Sequence, residues 1–136
     1  MDGCIFCQIA SDKKIIKIYE DDDVFAIFDK YQDFLGHILV IPKNHYDNIL
    51  LVPEEISRKL LDITLLIGRI EKNFFNASGM NIVTNIGKTA NQTIMHCHIH
   101  VIPHDLSNKN NKICCNCKEN GMIKNIIEKI STFLAK

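Results

Sequence analysis

An excess of charge of either sign is missing from this chain of 136 residues: Lys plus Arg and Asp plus Glu each number 16, so the formal net charge is zero. A molecule so balanced has no overall field to draw in a nucleic acid or an anionic lipid surface, and neither is expected as a partner. Any recognition of phosphate has to be local. Long apolar runs are missing too. The longest clean ones, such as Ile38-Leu39-Val40-Ile41, fall far short of the roughly 20 residues that a membrane span requires. The opening Met1-Asp2-Gly3-Cys4 shows neither the basic stretch nor the apolar core of an export signal. No internal repeat and no Pro-, Ser- or Gly-rich linker interrupts the chain, so one domain is expected, with room for one proper core. What remains is ordinary for a globular protein, 46% hydrophobic and 24% charged residues. Six cysteines without an export signal point to reduced thiols and a cytoplasmic location.

Hydrophobic patterning predicts the elements. Residues 15–19 and 24–28 read as short antiparallel strands joined by Glu20-Asp21-Asp22-Asp23. That acidic run reads as a solvated hairpin turn rather than a metal site. Residues 36–42 read as a largely buried strand closed by Pro42, which cannot donate to a ladder. Pro53 opens a long helix with Glu54 and Glu55 in its first turn, where the helix dipole favours anions. Ile56, Leu60, Ile63, Ile67, Ile70 and Phe74 then recur at helical period, a stripe for packing against a sheet. Residues 80–83 give a fourth strand and 97–102 a fifth, with a polar loop over 85–95 between them. Ile123, Ile126, Ile127, Ile130 and Phe133 mark a terminal amphipathic helix. Together these predict an α+β fold, a mostly antiparallel sheet of about five strands with one long and one C-terminal helix.

The chemistry concentrates between Gln92 and Pro103, where Cys97, Ile99 and Val101 alternate with His96, His98 and His100. Side chains alternate in direction along a strand, so this spacing predicts three imidazoles on one face. Packing explains them poorly, because each buried ring needs polar partners. Metal binding by all three is the serious alternative. Imidazole suits phosphoryl chemistry near neutral pH, since the neutral ring is nucleophilic and leaves readily from phosphorus. A second histidine two residues on can bond the phosphate or handle the leaving group's proton. The loop before the cluster supplies Asn85, Gln92 and Thr93, uncharged donors that suit a phosphoryl group.

Gln92 through Ile102, with its His-x-His-x-His core, resembles the signature of the histidine triad family of nucleotide hydrolases and transferases. Phe28-Asp29 and the run from Gly36-His37 through Pro42-Lys43-Asn44-His45 resemble that family's central strand pair. Asn85-Ile86-Gly87 sits at its spacing before the triad, and Cys4-Ile5-Phe6-Cys7-Gln8-Ile9 resembles the opening of bacterial-type, Hint-like members. The likeness spans residues 4–104 and leaves 105–136 as a C-terminal extension of the same domain. It implies the family's fold and makes His98 the nucleophile of a covalent nucleotidyl intermediate. It implies His100 on the reacting phosphate, with Asn85, Gln92 and Thr93 as further contacts. Asp29 is implied to hold the ribose hydroxyls, which a carboxylate does by accepting two hydrogen bonds. Phe6, Ile9 and Ile27 fall where the family places its nucleobase pocket, though core packing explains them equally well. His37 matches the family's Gly-His pair and is read as ordering the site from behind. Asn91 stands where the pattern has glycine, a position asparagine tolerates through its ease in left-handed backbone. His104 replaces a commonly basic residue and receives no role.

Cys4 and Cys7 form a C-x-x-C pair that reads as a redox dithiol, half of a zinc site, or two ordinary thiols. No thioredoxin-like pattern follows, and the residues alone leave zinc and plain thiols open. The resemblance implies Cys4, Cys7, His45 and His96 as a closed Cys2His2 set for structural Zn2+, pinning the N-terminal segment beside the base pocket. Cys114, Cys115 and Cys117 match nothing in the family and read either as a second metal site or as incidental surface thiols. The expected function is cleavage of purine nucleoside phosphoramidates or related nucleoside monophosphate conjugates by a homodimer. The alternatives are a dinucleoside polyphosphate hydrolase, a nucleotide-binding adaptor without turnover, and a zinc-dependent interaction module with the triad as ligands.

Overall fold

A computed structural model describes residues 3–29, 36–104 and 119–134; the side chains of Ile123 and Phe133, and Cys114, Cys115 and Cys117 altogether, lie outside the described residues. In chain order the elements are α1 (Ile5–Ser11), β1 (Tyr19–Glu20), β2 (Val24–Phe28), β3 (Ile38–Pro42), α2 (Glu54–Phe74), β4 (Gly79–Val83), β5 (Ile99–His104) and α3 (Glu119–Leu134). Single 3-10 turns at Ile49–Leu51 and Lys88–Ala90 shape the loops. The strands form one sheet in the order β1-β2-β3-β5-β4, every neighbouring pair antiparallel. The α+β architecture with a five-stranded antiparallel sheet, one long helix and a C-terminal helix is therefore as expected. Among the described residues no helix is long and apolar enough to cross a membrane.

Strands β2 and β3 are apolar at every position because both faces of the sheet are covered there, and their period of two sorts the side chains into two layers. Val24, Ala26, Ile38, Val40, Ile99 and Val101 pack with Leu60, Ile63 and Ile67 of α2 and Ile126 of α3. Phe25, Ile27, Leu39 and Ile41 form the opposite layer with Cys4 and Phe6 at the start of the chain. Fully burying one side chain such as Ile67 contributes about 1.5–3 kcal/mol, so the α2 stripe anchors the first layer. That helix ends in a Schellman turn. Asn76 takes φ 50°, and the Ala77 and Asn76 amides donate to the Lys72 and Asn73 carbonyls.

Three details differ from the sequence reading. Residues 15–18 are not strand, because they carry the chain around the sheet edge: Ile15 packs in the Phe6 layer and Ile18 in the α2 layer. The fifth strand begins at Ile99 rather than Cys97 and runs on through Pro103. It can do so because β3 pairs with it only as far as Val101, leaving no strand on that side, among the described residues, to need a proline donor. The third strand begins at Ile38 rather than Gly36, while Pro53 directly precedes Glu54 and Glu55 of the first turn of α2, as expected. Gly36 meets a steric demand: φ is 81°, and a Cβ there would lie 2.6 Å from Glu71 Oε2 and 2.7 Å from Phe75.

Candidate active site and metal centre

His98 sits immediately before β5, where Thr84 Oγ1 donates to its carbonyl at 2.8 Å and the Cys97 amide donates to Tyr46 O at 2.6 Å. Its ring is buried, and Nδ1 lies 2.7 Å from the carbonyl oxygen of His96. A carbonyl can only accept, so the proton is on Nδ1 and Nε2 carries the lone pair. Burial holds the ring below the usual imidazole range, against a smaller upward pull from that hydrogen bond and from the Asp29 charge. Burial thus favours the neutral form of the ring, with its lone pair on Nε2. The Phe6 ring meets it edge-on at 5.1 Å and 69°, and so limits its rotation.

His100 follows on β5, its ring 4.9 Å from that of His98. It shares one row across the sheet with Ile27 and Leu39, which are register partners in β2 and β3. His100 Nδ1 lies 2.9 Å from Nε2 of His37, so one proton is shared between two rings. Burial first, then the neighbouring His98 and His37, push the His100 ring down to about 4, against the pull of Asp29. Asp29 closes this group, its Oδ2 3.9 Å from His37 Nε2 and its amide donating to the His37 carbonyl at 2.9 Å. His37 thus reaches both Asp29 and His100 from behind.

The loop before the triad is held by Gln92. Its Oε1 accepts from the Gly87 amide at 2.8 Å, and its Nε2 donates to the carbonyls of Asp47 and Ile94 at 2.5 and 3.0 Å. Both donors of that buried amide are spent inside the protein. Asn91 adopts the left-handed conformation, φ 70°, as its substitution for glycine requires. Asn85 Nδ2 reaches the Asn91 carbonyl at 3.4 Å, and Thr93 is exposed. Ile9 is half-buried against the layer that contains Phe6 and Ile27.

The first histidine of the triad meets two cysteines. His96 is fully buried, and its Nδ1 lies 3.3 Å from Cys4 Sγ and 3.5 Å from Cys7 Sγ, while His45 Nδ1 lies 3.5 Å from Cys7 Sγ. Tetrahedral zinc with bonds of about 2.3 Å to sulfur and 2.0–2.1 Å to nitrogen sets S and N about 3.5 Å apart. Both rings are prepared for it. His96 Nε2 donates to the Pro42 carbonyl at 2.8 Å and His45 Nε2 to the Asp47 carboxylate at 3.0 Å, which leaves both Nδ1 lone pairs aimed at the sulfurs. The Cys7 amide donates to Cys4 Sγ at 3.4 Å, so the first cysteine also caps α1. The donor set fits a zinc ion. Asp47, which orients His45 by its carboxylate and accepts from Gln92 by its carbonyl, escaped the sequence reading; its place two residues after His45 was the available signal.

The HIT domain profile matches residues 11–106 of this chain. The chain belongs to the HIT domain family. Its fold superposes on a Zn-bound histidine triad family protein from Mycobacterium smegmatis with a TM-score of 0.82, at 30% identity, covering 98% of this chain and 96% of that one. A hypothetical histidine triad nucleotide-binding protein from Sulfolobus tokodaii superposes with a TM-score of 0.80, at 33% identity over 96% and 93% of the two chains. The adenylylsulfatase HINT3 of Arabidopsis thaliana is 34% identical over 101 residues, 74% of this chain and 51% of that protein. The family assigned by its histidine pattern is thus the family found.

Proposed function

We propose that this HIT protein is a nucleotide hydrolase or transferase that cleaves purine nucleoside phosphoramidates, or related nucleoside monophosphate conjugates, through a nucleotidyl-His98 intermediate. The observation that carries the reading is the 2.7 Å contact between His98 Nδ1 and the His96 carbonyl, which assigns the proton to Nδ1 and leaves Nε2 of a buried ring as nucleophile. A relative named as an adenylylsulfatase and a structural neighbour described as nucleotide-binding support the same class.

His98 Nε2 forms a bond to the α-phosphorus as the bond to the amine or phosphate leaving group breaks. The leaving group departs with a proton drawn from the triad. His100, joined to His37 through Nδ1, turns its other nitrogen to the non-bridging oxygens, with Asn85 and Thr93 as further donors. Gln92 acts by bracing the loop, since its own amide is engaged. Asp29 holds the ribose hydroxyls, and Phe6, Ile9 and Ile27 line the base. Water then attacks phosphorus and breaks the phosphorus–nitrogen bond, its proton replacing the one the triad gave to the leaving group, so that nucleoside monophosphate and neutral His98 are released with net retention from two in-line displacements. Structural Zn2+ held by Cys4, Cys7, His45 and His96 would supply rigidity, because four protein ligands leave no position for water.

The working unit in this reading is a cytoplasmic homodimer. Its support is β4, which has no further strand beside it among the described residues and whose Ile82 and Val83 are 45% and 38% exposed. A turnover screen comparing adenosine and guanosine phosphoramidates with diadenosine polyphosphates tests the substrate class. Preference for the polyphosphates would move the protein to the other hydrolytic class. No turnover, with nucleotide bound, would make it an adaptor.

A further inference from the structure

We propose that Asp29, His37 and His100 form a second metal site, open on one side, that takes a divalent transition ion such as Zn2+ in competition with nucleotide. The donor atoms of these three residues lie within 4.8 Å of one another, and the site shares no residue with the Cys4, Cys7, His45, His96 set. Nε2 of His37 and Nδ1 of His100 already face each other at 2.9 Å, and Asp29 Oδ2 is 3.9 Å from the former. Two imidazole nitrogens on one tetrahedral zinc stand about 3.3 Å apart, given bonds of 2.0–2.1 Å. An ion that replaces the shared proton therefore asks the two rings to part by only a few tenths of an ångström.

The donors are also held in place. Asp29 follows β2, His37 precedes β3, and His100 lies within β5, while the Asp29 amide bonds the His37 carbonyl at 2.9 Å. His37 is 2% exposed and cannot swing aside. Its Nδ1 is buried with no hydrogen-bond partner among the described residues, whereas Nε2 faces both His100 Nδ1 and the Asp29 carboxylate, so Nε2 is the nitrogen that meets the other two donors. Two imidazoles and one carboxylate with open positions suit zinc, cobalt or ferrous iron, and such a set leaves room for exchangeable ligands. An ion there would occupy the two side chains, Asp29 and His100, that the proposed function gives to ribose and phosphate. That competition, unlike the binding itself, rests on the proposed function. Free zinc beyond the structural equivalent would then act as a reversible inhibitor.

Cobalt(II) titrated into protein already carrying one structural zinc tests the site. Cobalt bound by nitrogen and oxygen shows weak visible bands without thiolate-to-metal charge transfer, whereas binding to Cys114, Cys115 or Cys117 would show that band. The expected result is one thiolate-free cobalt per chain, displaced by adenosine monophosphate and absent from Asp29→Asn and from His37→Gln while the structural zinc stays bound. No cobalt uptake, a thiolate band, or uptake that survives both substitutions overturns the proposal. So does cobalt that stays in place although calorimetry shows the monophosphate binding to the cobalt-free protein. If the monophosphate does not bind at all, the functional reading fails, and the metal site stands or falls on the spectrum and the two variants.

Discussion

The carbonyl of His96 accepts a hydrogen bond from Nδ1 of His98 at 2.7 Å, while the His96 ring turns its own Nδ1 toward Cys4 and Cys7 at 3.3 and 3.5 Å. One residue therefore joins the candidate metal centre to the candidate nucleophile. Its side chain serves the first and its backbone the second. Phe6, between Cys4 and Cys7 in sequence, makes a second connection, with ring centroids 5.7 Å from His96 and 5.1 Å from His98.

Purified protein is expected to contain about one zinc per chain at Cys4, Cys7, His45 and His96. Binding of a structural ion is folding free energy. Cys4→Ser should therefore reduce zinc content and melting temperature together, by about 10 °C if a few kcal/mol are lost at this chain length. Turnover should fall as well, through the loosened His96 carbonyl, with nucleotide affinity largely kept. Metal analysis and calorimetry check this, and zinc-free protein with an unchanged melting point would count against the site.

Asp29→Ala is expected to weaken nucleoside monophosphate binding by about ten- to a hundredfold, the worth of hydrogen bonds to a charged acceptor. Titration calorimetry reads it directly. Equal affinity in the variant would remove Asp29 from the ribose.

Glu71 on α2 is fully buried, neither carboxylate oxygen has a hydrogen-bond partner among the described residues, and burial pushes its pKa well above the usual carboxylate range. A group whose folded pKa is raised contributes stability fully present below its unfolded pKa and lost as pH rises through the folded value. The neutral carboxyl is thus the form the fold tolerates, and alkaline solution should destabilise the protein through this group. Glu71→Gln should raise the melting temperature more at alkaline than at mildly acidic pH. A shift equal at both would show that ionisation of Glu71 has no part in stability.

The long helix and the central strands were legible because single-period patterns decide them: Leu60, Ile63, Ile67 and Ile70 fall on one helical stripe, and all four are buried. Helix α1 was not. Seven residues carry too short a pattern to read and too few hydrogen bonds to nucleate alone; the Cys4 cap and the burial of Phe6 hold it. Alternation placed the triad, but not its division of labour. His96 finds Cys4 across 92 residues of sequence and His100 finds His37 across 63, and no local pattern carries such contacts. Gln92 shows the same limit. Its chemistry as a donor is evident from its type, whereas its use as a brace depends on Asp47, brought close by folding.

The central claim is that Nε2 of His98 forms the bond to phosphorus, and turnover of a folded His98→Ala protein on adenosine phosphoramidate tests it most directly. The expected result is a loss of several orders of magnitude in kcat, since a nucleophile and the groups that serve it act as a unit. Binding of nucleoside monophosphate should persist through Asp29 and the base pocket. Near-normal kcat in that variant would contradict covalent catalysis by His98.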